Sequence, residues 1–328
     1  MIDWSHSKVL VTGAGGFIGS HLTERLVESG AKTRALVRYT SSGHRGWLET
    51  SPRLNDVEVM TGDIRDRDSM RNAFKGVDVV FHLAALIAIP YSYDAPQSYV
   101  DANIQGTLNV LELARDNNLR RVVHTSTSEV YGSAQYVPID EKHPLVGQSP
   151  YSASKIGADK IAMSYHLSFG LPVVTVRPFN TYGPRQSTRA VIPTIITQAV
   201  AGRDIKLGSM LPTRDFNFVA DTIDGFIALA ESDEAVGKVC NIGSGREIAI
   251  GELAKLICEL CGSKATVSQD PDRLRPANSE VERLLCDVCL ANSLTSFRPR
   301  VSLEEGLKCT IAWFRDNMGR YRPGEYIK

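Results

Sequence analysis

The sequence has no excess of charge: 37 Lys and Arg residues stand against 37 Asp and Glu residues. The composition therefore gives no support for a basic face that grips nucleic acid or an anionic membrane surface. No apolar run approaches the roughly 18 residues that a membrane-spanning helix needs. The opening Met-Ile-Asp-Trp-Ser-His lacks a basic segment followed by an apolar one, so no signal peptide is expected. Internal repeats and low-complexity tracts are missing as well. A soluble cytoplasmic protein is expected, and 328 residues, 43% of them hydrophobic, suffice for a large core.

Cysteine is sparse, with six residues. Cys258-x-x-Cys261 and Cys286-x-x-Cys289 superficially match a four-thiolate zinc pattern. No glycine knuckle surrounds either pair. Cys258 and Cys261 end a run, Glu252 to Cys261, with apolar spacing of three and four, which is helical. Cys286 and Cys289 lie in a strand-like run, Arg283 to Cys289. Small buried hydrophobes are the better reading, and no metal is expected.

Alternation of strands and helices organises the first half. Lys8–Thr12 is a short apolar strand that runs into Gly13-Ala-Gly-Gly16-Phe-Ile-Gly19 and then a helical pattern. Further strands are expected at 33–37, 57–60, 77–81, 121–125 and 172–177, with helices at 66–74, 103–117 and 151–169. This βαβ alternation predicts an α/β chain with a doubly wound, Rossmann-type parallel sheet. Past about residue 180, Pro and Gly interrupt shorter elements, which predicts a smaller C-terminal substrate-binding lobe. The expected division is 1–180 for the nucleotide-binding domain with the catalytic residues and 181–328 for the lobe, with a segment near 215–230 returning to the sheet.

Glycines at 13, 16 and 19, between a strand and a helix, permit a tight turn and close approach of backbone to a pyrophosphate at a helix N-terminus. Strand two ends in Arg38 followed by hydroxyls, where a carboxylate would mark NAD. An Arg there suits a 2′-phosphate, so NADP is the expected cofactor and NAD the alternative. A solvated loop residue is the other reading of Arg38. Asp63, after strand three, suits either an adenine contact or a helix cap. Ser126-Thr127-Ser128-Glu129 and Tyr151-x-x-x-Lys155 bring hydroxyls, a carboxylate, a phenol and an ammonium to one site. Such a set serves an enzyme that moves a hydride and protons on a sugar.

These residues resemble the extended short-chain dehydrogenase/reductase family in its nucleotide-sugar branch. The matching motifs are Thr-Gly-Ala-Gly-Gly-Phe-Ile-Gly, Thr-Gly-Asp63, His82-Leu-Ala-Ala85, Asn103-x-x-Gly106-Thr, Ser-Thr-Ser-Glu-Val-Tyr-Gly, Tyr151-x-x-x-Lys155, Arg177-Pro-Phe-Asn180-x-Tyr-Gly-Pro184 and Arg214-Asp-Phe. The resemblance implies cofactor contacts from Gly13, Gly16, Phe17, Ile18, Gly19 and Arg38, then from Asp63, Ile64, Leu83, Ala84 and Ala85, and finally from Tyr151, Lys155 and Pro178. It implies that Tyr151 takes the proton of a sugar hydroxyl, that Lys155 holds the ribose and lowers the phenol pKa, and that Thr127 bonds the sugar O4. Asn180, Arg214 and Arg275 are implied diphosphate contacts.

Glu129 marks the reaction. In this branch the epimerases usually carry a small or apolar residue there, and the 4,6-dehydratases a Glu. Thr127-Ser128-Glu129 is similar to the GDP-mannose dehydratase version, and the wider stretch resembles bacterial N-acetylglucosamine-nucleotide 4,6-dehydratases of the legionaminic-acid type. Ser128 or Glu129 would protonate the departing hydroxyl. The reading is a lyase converting UDP-N-acetylglucosamine, or a GDP-linked equivalent, to a 4-keto-6-deoxy sugar nucleotide. The alternatives are a nucleotide-sugar 4-epimerase and a non-enzymatic NADP-sensing protein. The family resemblance also implies a homodimer, with Leu108, Ile161 and Leu167 at its seam.

Overall fold

The computed structural model describes residues 2–325. In chain order the strands are β1 (Lys8–Thr12), β2 (Lys32–Val37), β3 (Glu58–Thr61), β4 (Val79–His82), β5 (Arg121–Thr125), β6 (Val173–Pro178), β7 (Asn180–Tyr182), β8 (Ile205–Leu207), β9 (Thr213–Phe218), β10 (Val239–Ile242), β11 (Glu247–Ala249), β12 (Val267–Gln269) and β13 (Arg283–Leu284). Seven of them form one parallel sheet in the order β10-β6-β5-β4-β1-β2-β3. Its central strands read as nearly unbroken apolar runs because helices cover both faces. Val9, Val11, Val79, Phe81, Val123 and Val174 face one core, with Leu22 and Leu26 of the helix Phe17–Glu28 above them. Leu10, Val80 and Val122 face another, closed by Val110 and Ala114 of the helix Gly106–Asp116 and Ala162 of the helix Pro150–Phe169.

The expected Rossmann-type sheet is the observed one. Strand order reverses between β1 and β4, so the loops after these two strands part and leave a crevice at their C-terminal ends, where such sheets bind ligands. Beyond β6, strands β11, β9 and β13, with β7 paired to β9, form a smaller sheet beside an apolar cluster that includes Ile195, Leu253, Ile257 and Phe314. Return to the main sheet is wider than the segment 215–230. Helix Val219–Glu231 packs Ile223, Phe226 and Leu229 onto the first core, and β10 adds the unanticipated seventh strand beside β6. A division at 1–180 and 181–328 stays our proposal. Its ends, Met1 and 326–328, lie outside the described residues.

Cys258 and Cys261 lie on the helix Ile250–Cys261, as expected. The second pair departs from the strand-like reading. Strand β13 stops at Leu284, Cys286 meets Ile139 in an isolated bridge, and Cys289 opens the helix Cys289–Leu294. Two carboxylates cause this. Asp215 Oδ2 accepts from the Cys286 N–H at 3.2 Å and Asp287 Oδ1 from the Cys289 N–H at 2.7 Å, so side chains take the place of a ladder partner. Among the described residues no helix is long and apolar enough to cross a membrane.

Candidate active site

A cavity of about 1280 Å³ runs along the C-terminal ends of β1, β4, β5 and β6. All the residues singled out above for cofactor, chemistry and substrate line it, from Gly13 after β1 to Arg275 in the lobe.

At one end the glycine-rich turn is closed by the Gly16 N–H donating to Gly13 O at 3.0 Å. Gly13 holds φ +72°, a left-handed conformation that favours glycine. A Cβ on Gly19 would stand 2.2 Å from the Gly13 carbonyl oxygen, so the helix could not begin so close to the turn. The helix Phe17–Glu28 starts at Gly16 with no side-chain cap, which leaves its first N–H groups available at the cavity wall. A Cβ on Gly16 would meet only that same carbonyl, at 3.2 Å, so the space in front of the turn is open. An uncapped helix start behind an open glycine turn fits a dinucleotide pyrophosphate.

Arg38 is exposed on the same wall, and its charge is among the influences that hold the Asp63 carboxyl below its ordinary value, after the hydrogen bond and charge of Arg65. Asp63 is not the helix cap. The helix Arg67–Phe74 is capped by Asp66, which accepts from the Asp68 and Ser69 N–H groups at 3.0 and 3.4 Å.

Tyr151 and Lys155 share a face of the helix Pro150–Phe169, which starts on a Ser149–Ser152 capping box with Pro150 in the first turn. Tyr151 is 7% exposed. Burial pushes its phenol up; the Thr127 hydroxyl opposes this, and Glu129, Tyr99 and Asp159 add to it. The net shift is upward, set first by burial. Lys155 Nζ donates to the Thr125 carbonyl at 2.7 Å, and burial pulls its ammonium down to about 8 against the opposing charge of Asp159. After β5, Thr127 caps the short turn Ser128–Tyr131 by accepting from the Glu129 N–H at 3.2 Å. The turn brings Ser128 and Glu129 to the cavity beside Tyr151.

Across the cavity Arg214 lies buried on β9, donating to Thr213 O at 2.9 Å and to Glu280 Oε1 at 3.4 Å. Burial pulls its guanidinium down, and the charge of Glu129 opposes that. Arg275 Nη1 is buried without a hydrogen-bond partner, the Glu280 carboxylate standing 3.7 Å away. Asn180 Nδ2 is buried and unpartnered as well. Unsatisfied donors of this kind are costly unless a ligand takes them, and anionic oxygens would. Sequence reasoning missed Glu280 between the two arginines, and Arg185 and Arg189 along the same wall. Arg185 was visible only as the end of a Gly-Pro turn. Its left-handed φ of 71° and its two-pronged pairing with Glu24 at 2.9 and 3.0 Å arise from the fold.

This fold and site fit one class, nucleotide-sugar enzymes of Rossmann type, and the likenesses to known proteins agree. The family model described as GDP-mannose 4,6 dehydratase matches residues 10–310. A dTDP-glucose 4,6-dehydratase of Actinoplanes is 35% identical over 94% of this chain and 98% of its own. A putative UDP-glucose 4-epimerase of Methanocaldococcus jannaschii is 33% identical over 94% and 99%. The crystal structure of a Streptomyces venezuelae dTDP-glucose 4,6-dehydratase with NAD and TYD bound superposes with a TM-score of 0.88 at 31% identity, covering 96% of this chain and 99% of that one. The chain belongs to the extended short-chain dehydrogenase/reductase family of nucleotide-sugar dehydratases and epimerases.

Proposed function

We propose that the protein is a nucleotide-sugar 4,6-dehydratase acting on UDP-N-acetylglucosamine or a GDP-linked equivalent. The observation that carries this reading is the Glu129 carboxylate beside the Tyr151 phenol in the cavity, its charge acting on that phenol and on Arg214 opposite. An epimerase needs the phenol and has no step for a second base. Support for the sugar comes from the resemblance of the Thr127–Glu129 stretch to N-acetylglucosamine-nucleotide dehydratases. Support for NADP over NAD comes from Arg38.

The glycine turn, Arg38, Asp63 and Lys155 would hold the cofactor. When bound, it supplies the means of taking a hydride from C4 and giving one back at C6. Thr127 orients the sugar O4, and Tyr151 removes its proton. With a ketone at C4, the C5 proton becomes acidic and Glu129 removes it. The C6 hydroxyl leaves as water with a proton from Glu129 or Ser128, and a proton returns to C5. Arg214, Arg275 and Asn180 hold the diphosphate. General acid–base steps are each worth about 10²–10⁴-fold, so exact placement of the sugar supplies much of the rest.

Turnover of a panel of UDP-, GDP- and dTDP-sugars, read by mass, tests the proposal. Loss of one water supports dehydration. A product of unchanged mass with inverted C4 would mean an epimerase.

A further inference from the structure

Beneath the Tyr151–Lys155 turn lies a buried polar cluster to which the proposed reaction gives no task. Asp159 sits one helical turn beyond Lys155 and two beyond Tyr151. Its Oδ1 accepts from His124 Nε2 at 3.0 Å. Its Oδ2 accepts from Ser126 Oγ at 2.7 Å and from Arg177 Nε and Nη2 at 3.2 and 2.9 Å. Arg177 Nη1 continues to the Tyr131 hydroxyl at 3.0 Å, which donates to Asn241 Oδ1 at 2.7 Å. The carboxylate thus joins the catalytic helix, the end of β5 and the end of β6. Asp159, Arg177, Lys155 and Ser126 are each at most 4% exposed, and His124 is fully buried.

A need for packing alone would be met by apolar side chains, because taking charges out of water is costly. A task at the site explains the expense better. Resting on the reading of Tyr151 and Lys155 given above, we infer that Asp159 is a positioning residue, which keeps the Lys155 ammonium charged and fixes the Ser126–Glu129 segment beneath the sugar.

The groups facing Lys155 bear this out. From β4 comes His82, which pairs with Thr12 at 2.8 Å and Thr107 at 3.1 Å and is held well below its ordinary value by burial. From β5 comes His124, also pushed down by burial, with its Nδ1 unpartnered. From β6 comes the cationic Arg177. The helix itself supplies the Tyr151 phenol and Asp159. The Asp159 carboxylate pairs with Arg177 at 2.9 Å and stands one helical turn from Lys155. Burial pushes the Asp159 carboxyl up, but its bond to His124 and the charges of His124, Arg177 and Lys155 bring it down to about 2, so it stays ionised. Its charge opposes the pull of burial on Lys155.

The test reads Lys155 directly, in protein without cofactor or substrate, by the pH dependence of its ε-carbon resonance in ¹³C-lysine-labelled protein. Asp159→Asn leaves Arg177 buried and unpaired and can fail to fold, so Arg177→Gln and the double variant Asp159→Asn with Arg177→Gln, which differ only in the Asp159 charge, are measured beside it. Lys155 is expected to titrate about one to three pH units lower in Asp159→Asn than in the parent, and lower by a similar margin in the double variant than in Arg177→Gln, the range that one opposite charge produces. Asp159→Glu is expected to restore most of the shift. In a single turnover with a nucleotide sugar, the alkaline limb of cofactor reduction moves the same way, whichever product follows. Lys155 titrating at the same pH in the double variant and in Arg177→Gln would overturn the inference. That resonance needs no reaction, so its outcome stays separate from that of the dehydratase reading.

Discussion

Lys155 Nζ lies 2.7 Å from the Thr125 carbonyl oxygen, and this bond ties the helix that carries Tyr151 to the strand end that carries Thr127 and Glu129. Phenol, hydroxyl and carboxylate are thereby held on two rigid elements, as transition-state placement demands.

Tyr151→Phe keeps the ring between Tyr99 and the cavity and removes the hydroxyl. Reduction of bound cofactor by sugar in a single turnover should fall by about 10²–10⁴-fold. Calorimetric affinity for the nucleotide sugar should stay within a few-fold of the parent.

Arg38→Asp should reverse cofactor preference. A charge-assisted hydrogen bond is worth about 1.5–3 kcal/mol, so NADP affinity should drop about 10–100-fold while NAD affinity holds or rises. Calorimetry with both dinucleotides measures this. Tighter binding of NAD than NADP by the parent protein would refute the assignment of Arg38.

A homodimer is expected at micromolar concentration, read as mass by light scattering. Of the three seam residues expected from sequence, Leu108 and Ile161 pack partly against the sheet core, whereas Leu167 is 75% exposed, near Phe169 at 54%. Burying a leucine is worth about 1.5–3 kcal/mol, so Leu167→Glu should weaken association by at least about tenfold if this end of the helix lies in the seam. A monomeric parent would refute the dimer outright.

The legible parts of the molecule were those written locally. Gly13, Gly16 and Gly19 between strand and helix, and Tyr151 with Lys155 one turn apart, need only neighbouring residues to be recognised. Fold-dependent features were not legible. The helix expected from Asn103 runs regularly only from Gly106, after a wider turn at Val100–Gln105. Asn103 is spent there on Leu86 N and O and on Ser154, each at 2.9 Å. Strand β10 has four residues, with a polar Asn241 among them. Asn241 is buried because it takes the Tyr131 hydroxyl at 2.7 Å and donates to Ile139 O at 3.1 Å, partners about a hundred residues away. Glu280 reaches the site only because its segment is stitched to Ser133, whose Oγ donates to Glu280 O at 3.3 Å and accepts from the Glu282 N–H at 3.2 Å.

The most direct test of the central claim is entry of solvent deuterium at C5 of the sugar, compared between the parent and Glu129→Gln. The parent should release a 4-keto-6-deoxy product carrying deuterium at C5. Glu129→Gln retains Tyr151 and Lys155, so C4 oxidation should proceed and reduced cofactor should accumulate. With an amide in place of the base, C5 exchange and dehydration should fall by about 10²–10⁴-fold. Dehydration and C5 exchange at the parent rate in Glu129→Gln would contradict the claim and leave Glu129 a structural hydrogen-bonding residue.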